Sequence, residues 1–295
     1  MTEASADPTP LAALSAAFAR IVAGTATGIV SVRSRGARSS GFVWRPGLIV
    51  TADDALADEG EVTIAHAGGD PLPARIAGRD PTTDIALLRI DGADLPPVPL
   101  ATPLIATGAL AIAVGAEDGA PVAALGVVSR SAGPWQSLRG GAIDVRIELN
   151  LRLQIAAEGG LALDAAGQAI GMTVFGPRRR VLVIPSATIE RVAARLESHG
   201  RIARGYLGLS LQPVAIQGGG SGAMVMGVDP QGPGAKAGIH QGDILSAWNG
   251  APIRHVQSLM RALGPDSVNQ TVTLDLHRAG ATRQVSLTIG ERPAP

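Results

Sequence analysis

A chain of 295 residues with 46% hydrophobic and 17% charged residues holds enough apolar material for more than one core, and its length points to two domains. Its 25 basic and 25 acidic residues cancel, which removes the electrostatic case for nucleic acid or an anionic membrane as the main partner. Aromatic residues at 2% leave few faces for stacking bases or sugars, and zero cysteines exclude disulfides, a thiol nucleophile and a thiolate metal site.

The N-terminal MTEASADPTP is acidic and polar where a secretory signal would be basic, and Arg20 interrupts the apolar stretch behind it. A disordered tail over 1–9 and a cytoplasmic address are the resulting expectations; a periplasmic address would require a targeting segment upstream. Leu11, Leu14, Phe18, Ile21 and Val22 recur at helical spacing and predict an amphipathic helix over 10–23, packed on its own domain.

From Gly28 to Arg180 the pattern changes to short Val-, Ile-, Leu- and Thr-rich runs punctuated by Gly, Pro and Asp, among them GIVSVRSR, GFVWRPGLIVTA, DIALLRI, ALAIAVGA and QAIGMTVFG. Many short strands at such spacing predict a barrel or sandwich. The long uncharged run Leu95 to Ala116 is broken by Pro96, Pro97, Pro99 and Pro103, so it reads as loop and strand rather than as a membrane span. Pro185 and Ser186 open a helix over 186–199, with Ile189, Val192, Ala193 and Leu196 on one face and Gly200 as its stop. That helix closes a first domain, 10–203. A second, 204–292, carries further strand-like runs, one helical segment, VQSLMRAL, and a flexible loop, QGGGSG, at 217–222.

Taken together, SSGFVWRPGLIVTADDAL, AGRDPTTDIALLRI, EGGLALDAAGQAIGM, VIPSATIERV and the C-terminal unit resemble the HtrA/Deg family of trypsin-like serine proteases, from the first helix to Gly290. The resemblance implies a mainly β protein: a chymotrypsin-like double β-barrel followed by a PDZ domain, which is a β-sandwich with a helix. The family's catalytic histidine follows an Ile-Val-Thr run, and here IVTADDAL puts Asp54 at that position. Its aspartate is kept as Asp84 in DPTTDIALL. Its nucleophile lies in Gly-Asn-Ser-Gly-Gly-Pro, where this chain reads Ala156, Ala157, Glu158, Gly159, Gly160, Leu161. The triad positions are therefore Asp54, Asp84 and Glu158, with neither hydroxyl nor imidazole, and the implied consequence is a pseudoprotease. The turn that aims two N–H groups at the oxyanion also lacks its glycine.

No histidine offers a replacement by spacing: His66 falls in a strand-end loop, His199 ends a helix, and His240, His255 and His277 lie in the second domain. None has metal-ligand spacing with another ligand, so no metal and no cofactor are expected. Ser39 and Ser40 read as turn residues. If Asp54, Asp84 and Glu158 converge, mutual repulsion requires that one holds a proton, binds a cation or pairs with arginine, Arg152 and Arg178 to Arg180 being the candidates, unless all three splay into water.

In the PDZ-like unit the resemblance implies that an extended peptide adds beside an exposed strand, with its terminal carboxylate captured by a backbone loop. The loop would be Tyr206, Leu207, Gly208 and Leu209. Leu209 and Leu211 share a face of the following strand, and Leu259, Met260 and Leu263 are candidate pocket walls, with ordinary core as the competing reading. Expected partners are peptides or unfolded-protein C-termini, with no nucleic acid and no membrane insertion. A homotrimer, or a hetero-oligomer with an active relative, is the expected assembly. Two functions stay open: a peptide-binding module without turnover, and a hydrolase with residual or carboxylate- and metal-based activity at Asp54, Asp84 and Glu158.

Overall fold

The computed structural model describes residues 9–57, 60–216 and 220–293. The expected tail, apart from Thr9, and three residues of the QGGGSG loop lie outside these. Contacts divide the chain into one unit of residues 1–135 and 143–201 and another of residues 136–142 and 202–295.

In the first unit, α1 (Pro10–Thr25) begins on Thr9, whose Oγ1 accepts from the Ala12 N–H at 3.4 Å. Phe18, Ile21 and Val22 are half-buried, but Leu11 and Leu14 are 76% and 44% exposed, so only the C-terminal part of the predicted apolar stripe is covered. The strands β1 (Ile29–Ser34), β2 (Ala37–Arg45), β3 (Leu48–Thr51), β4 (Val62–Ala65), β5 (Leu72–Asp80) and β6 (Ile85–Ile90) close a barrel in the order β1-β2-β3-β6-β5-β4. Its interior is branched aliphatic, including Val30, Val32, Val43, Ile49, Ile64, Leu88 and Ile90.

The next strands are β7 (Leu110–Glu117) and β8 (Ala120–Ala132), joined by Asp118-Gly119, both at positive φ, the two-residue hairpin turn whose twist matches the strands. After the short β9 (Trp135–Gln136) and β10 (Ala142–Ile143) come β11 (Arg146–Asn150), β12 (Leu161–Asp164), β13 (Ala169–Phe175) and β14 (Val181–Pro185). Strands β11-β14-β13-β12-β7-β8 close a second barrel around Ala111, Ala113, Ile147, Ala162, Ile170 and Val183. The first unit is thus the double six-stranded barrel expected of a chymotrypsin-like chain. Helix α2 (Ser186–His199) buries Ile189, Val192, Ala193 and Leu196 and stops at Gly200 in a left-handed cap, φ 71°.

The second unit is built on β16 (Leu209–Ala215), β17 (Ser221–Val228), β18 (Ile244–Trp248), β20 (Thr271–Arg278) and β21 (Ala281–Thr288), in that order across one sheet, with β19 (Ala251–Pro252) pairing β18. A separate ribbon pairs β15 (Gly205–Tyr206) with β22 (Gly290–Glu291). Helices α3 (Pro233–Lys236) and α4 (Val256–Ala262) complete it, around a core of Leu207, Val225, Leu245, Leu259, Leu274 and Leu287. No helix among the described residues is long and apolar enough to cross a membrane.

Candidate functional site

Asp84 sits immediately before β6, at the end of a turn clipped by Asp80, whose buried carboxylate accepts from Thr82 Oγ1 at 2.6 Å and Thr83 Oγ1 at 2.7 Å. The clip forces Asp84 into the left-handed region, φ 59°. There its Oδ1 accepts from the Asp54 N–H at 2.8 Å, and its carbonyl accepts from Asp53 N–H at 3.4 Å. Burial pushes the Asp84 carboxyl up to about 7; the Asp54 N–H opposes this, and the charges of Asp54, Glu158 and Asp53 add to it. Asp54 itself is exposed.

Its neighbour Asp53 is 2% exposed and held by Arg79: Nε donates to Asp53 Oδ1 at 2.5 Å, Nη2 to the Asp53 carbonyl at 3.1 Å and Nη1 to the Ala57 carbonyl at 3.1 Å. This clamp shapes the segment that presents Asp54. Sequence reasoning passed it over, because Asp53 and Asp54 lie in the turn after β3 and only the arrival of Arg79 from β5 distinguishes them.

Glu158 follows a 3₁₀ turn, Ile155–Ala157, and is half-buried. The turn is stitched to β2 of the first barrel. Ser40 N–H donates to the Glu158 carbonyl at 2.7 Å, and Ser40 Oγ donates to the Ala156 carbonyl at 2.5 Å and accepts from Ala116 N–H at 2.8 Å. Ser40, read above as a turn residue, is instead a fully buried strand residue. Gly159 takes φ 81°, and a Cβ there would collide with the Ser40 carbonyl oxygen, so only glycine fits.

The N–H groups of this turn point inward: Ala157 N–H donates to Gln154 O at 3.0 Å and Glu158 N–H to Ile155 O at 3.1 Å. The Glu158 carboxylate accepts from the Phe175 N–H at 3.2 Å. Arg179, its guanidinium 4.3 Å from the Phe175 ring centroid, opposes the rise that burial and the Asp54 charge impose on the Glu158 carboxyl, but the net direction is upward. The three carboxyls therefore lie within electrostatic reach of one another. Among the described residues, no group of three His, Cys, Asp or Glu is arranged to hold a metal ion.

In the second unit, the carbonyls of Leu207 and Gly208 accept from Gly234 N–H at 2.7 Å and Asp229 N–H at 2.8 Å. In a trans peptide the following N–H points the opposite way, so the Gly208 and Leu209 N–H groups face away from those partners. Gly208 has φ 69°, and a Cβ there would lie 2.9 Å from Gly232 Cα. The Tyr206 hydroxyl donates to Asp229 Oδ2 at 3.0 Å, which braces the loop.

The candidate pocket residues divide. Leu207 and Leu259 are 3% and 2% exposed and belong to the core, because a small domain must pack its helix on its sheet. Leu209, Leu211 and Leu263 are half-buried against that core, and Met260, one residue round the helix from Leu259, is 45% exposed. Asp243 carries a clamp: Arg278 bonds both of its carboxylate oxygens at 2.7 and 2.6 Å.

Residues 39–172 match the family model for a trypsin-like peptidase domain, and residues 205–289 that for a PDZ domain. The chain is 30% identical over 279 residues to a probable periplasmic serine endoprotease DegP-like of Pseudomonas fluorescens, covering 88% of this chain and 58% of that protein. It is 29% identical over 275 residues to the similarly named protein of Brucella suis, covering 87% and 53%. The chain thus spans about half the length of the curated relatives it matches. Among solved structures, the serine endoprotease from Yersinia pestis superposes with a TM-score of 0.70 at 26% identity, covering 94% of this chain and 98% of that one. The HtrA-type protease AlgW with decapeptide has the same fold, with a TM-score of 0.70 at 21% identity over 94% and 99%. The cytoplasmic address expected from the N-terminal composition is overturned, since these relatives are named as periplasmic; a polar first segment carries no information on compartment for such a chain. This chain is therefore a relative of the HtrA and DegP-like serine proteases, with a trypsin-like peptidase domain followed by a PDZ domain.

Proposed function

We propose that this protein is a periplasmic HtrA-like pseudoprotease that binds peptides or unfolded C-terminal segments through its PDZ domain, in a scaffold, chaperone-like or regulatory role. The observation that carries the loss of hydrolysis is the state of the nucleophile turn. Glu158 stands there with its N–H bonded to the Ile155 carbonyl, so neither an attacking hydroxyl nor that oxyanion donor is available. A carboxylate at position 54 is too weak a base near pH 7 to replace an imidazole. Losing the serine or the histidine of such a triad costs on the order of a millionfold in turnover.

Peptide capture is supported by β16, which is the edge of its sheet, and by the outward N–H groups of Gly208 and Leu209 at its start. The AlgW structures carrying a tripeptide and a decapeptide point the same way. Assembly as a homotrimer or with an active relative extends the same reading. The deciding experiment incubates wild type and Glu158→Ala with a denatured protein over a long time course. No fragments from either supports the proposal.

A second reading rests on one observation, the Asp84 carboxyl raised to about 7 beside Asp54 and Glu158. A proton-holding and an ionised carboxyl in one cleft are the elements of acid–base hydrolysis. Fragments that vanish in Glu158→Ala would favour it.

A further inference from the structure

The strand that would pair with a peptide does not offer its edge along its whole length. The Leu209 N–H faces away from β17. The register shift between Ser210 and Leu211 puts its extra residue, Met226, on β17, so the alternation along β16 continues and Leu211 and residue 213 direct their nitrogens to the same open edge. Residue 213 is proline and has no N–H. A peptide whose carboxylate lies at Gly208 and Leu209 runs antiparallel to β16, away from that end, and loses its backbone donor about four residues upstream of its terminus.

Beyond that point the surface changes character. A cleft of about 500 Å³ is lined by Pro213, Val214 and Ala215 of β16, by Arg254 and His255 before α4 and the first α4 residues Val256 and Gln257, and by Ser221 and Gly222 of β17. Its charged and ionisable lining is Arg254 and His255, both exposed, and none of its lining residues is acidic. The apolar walls, Pro213, Val214 and Val256, suit an aliphatic stem, and the guanidinium suits a carboxylate at its end.

We infer that the PDZ groove continues past Pro213 into this cleft and selects C-terminal peptides carrying an acidic side chain about four to six residues upstream of the terminus, with Arg254 as the specificity-determining residue. This rests on the peptide-binding reading above and adds to it a second, charge-reading subsite. Where the backbone ladder stops, a side-chain contact is what keeps the upstream residues bound. The contribution is that of an exposed ion pair, so the discrimination is modest and salt-sensitive.

The test measures fluorescence anisotropy of the full chain with labelled Gly/Ser nonapeptides ending Leu-Leu-Val. Each carries Asp, Asn or Lys four, five or six residues before its end, and amidated versions serve as controls. At one of these positions the Asp peptide binds about threefold to fivefold tighter than the Asn peptide at low salt. The preference vanishes in Arg254→Ala and in 0.5 M salt on the order of a 4 Å Debye length, and it reverses towards the Lys peptide in Arg254→Glu. Equal affinity for Asp, Asn and Lys peptides at every position, with free termini still preferred over amidated ones, overturns the acidic subsite and leaves peptide binding standing. Failure to bind any peptide, or indifference to amidation, removes the carboxylate-capture reading and this inference with it.

Discussion

The backbone N–H of Asp54 donates to Oδ1 of Asp84 at 2.8 Å, so the position that would hold an imidazole meets the aspartate of the triad position through its main chain. The side chain of Asp54 is left exposed, and its charge raises the pKa values of both Asp84 and Glu158. The cleft thus concentrates negative charge where a trypsin-like enzyme alternates acid and base.

That crowding has a signature in stability against pH. The folded-state value of Asp84, about 7, lies above its ordinary 3.8. Its favourable contribution is complete below the ordinary value and disappears as pH rises through 7, because the folded protein then gives up a proton it prefers to keep. Asp84→Asn removes this term, and the variant gains relative to wild type between pH 5 and pH 8 by about 2–3 kcal/mol at most. Urea midpoints at the two pH values measure it; an identical pH dependence in both proteins contradicts the raised value.

Rebuilding the triad does not rebuild an enzyme. In Asp54→His, Glu158→Ser the N–H at position 158 still bonds the Ile155 carbonyl, and Ala156 still stands where the family has glycine. The expected rate with a denatured protein substrate is lower than that of an active HtrA-type enzyme by about a hundredfold or more, the usual cost of a missing oxyanion donor. Parallel progress curves against such an enzyme give the ratio, and comparable rates would contradict the account of the turn.

Gly159→Ala tests the stitch between the barrels. The new Cβ meets the Ser40 carbonyl at a positive φ of 81°, so both space and backbone conformation oppose it. A loss of about 2 kcal/mol or more is expected, read as a fall in the thermal midpoint of the double barrel. Ser40→Ala, which removes the hydroxyl bridging Ala156 and Ala116, is expected to cost about 1–3 kcal/mol by the same measurement.

In the PDZ domain, Arg278→Ala leaves the carboxylate of Asp243, 2% exposed, without its two guanidinium bonds. A fall in the thermal midpoint of the PDZ domain is expected, since removing the guanidinium leaves the Asp243 carboxylate with fewer donors. Burial works to raise the Asp243 carboxyl, but the Arg278 hydrogen bonds and the His240 N–H outweigh it and hold the carboxyl below its ordinary value. Its stabilising contribution is therefore present above the ordinary carboxylate range and lost as pH falls through the folded value. Acid titration of wild type and Arg278→Ala, followed by circular dichroism, separates this from the Asp84 effect, which has the opposite sign.

Much of the architecture was legible before any coordinates. The alternation of branched aliphatic residues with Gly, Pro and Asp announced strands, and α2 ends at Gly200 where the pattern broke. Asp54, Asp84 and Glu158 could be located because each lies in a short motif whose neighbours define the position. The compartment was misread, because a polar N-terminal segment was given a meaning that comparison with relatives overturns.

Other relationships depend on segments far apart in the chain. Asp53 and Asp54 are adjacent identical letters, yet one is buried on Arg79 and the other faces solvent. Ser40 acquires its role from Ala116 and Ala156, and Leu259 is core while Met260 is not, according to which face of α4 meets the sheet. Residue types and local spacing specify elements and motif positions, because dihedral preferences and apolar periodicity act over a few residues. Protonation of Asp84, occupation of the Glu158 N–H and the open edge at Pro213 were decided only by the closed barrels and the ordered sheet, because burial, charge proximity and hydrogen-bond direction arise when distant strands meet.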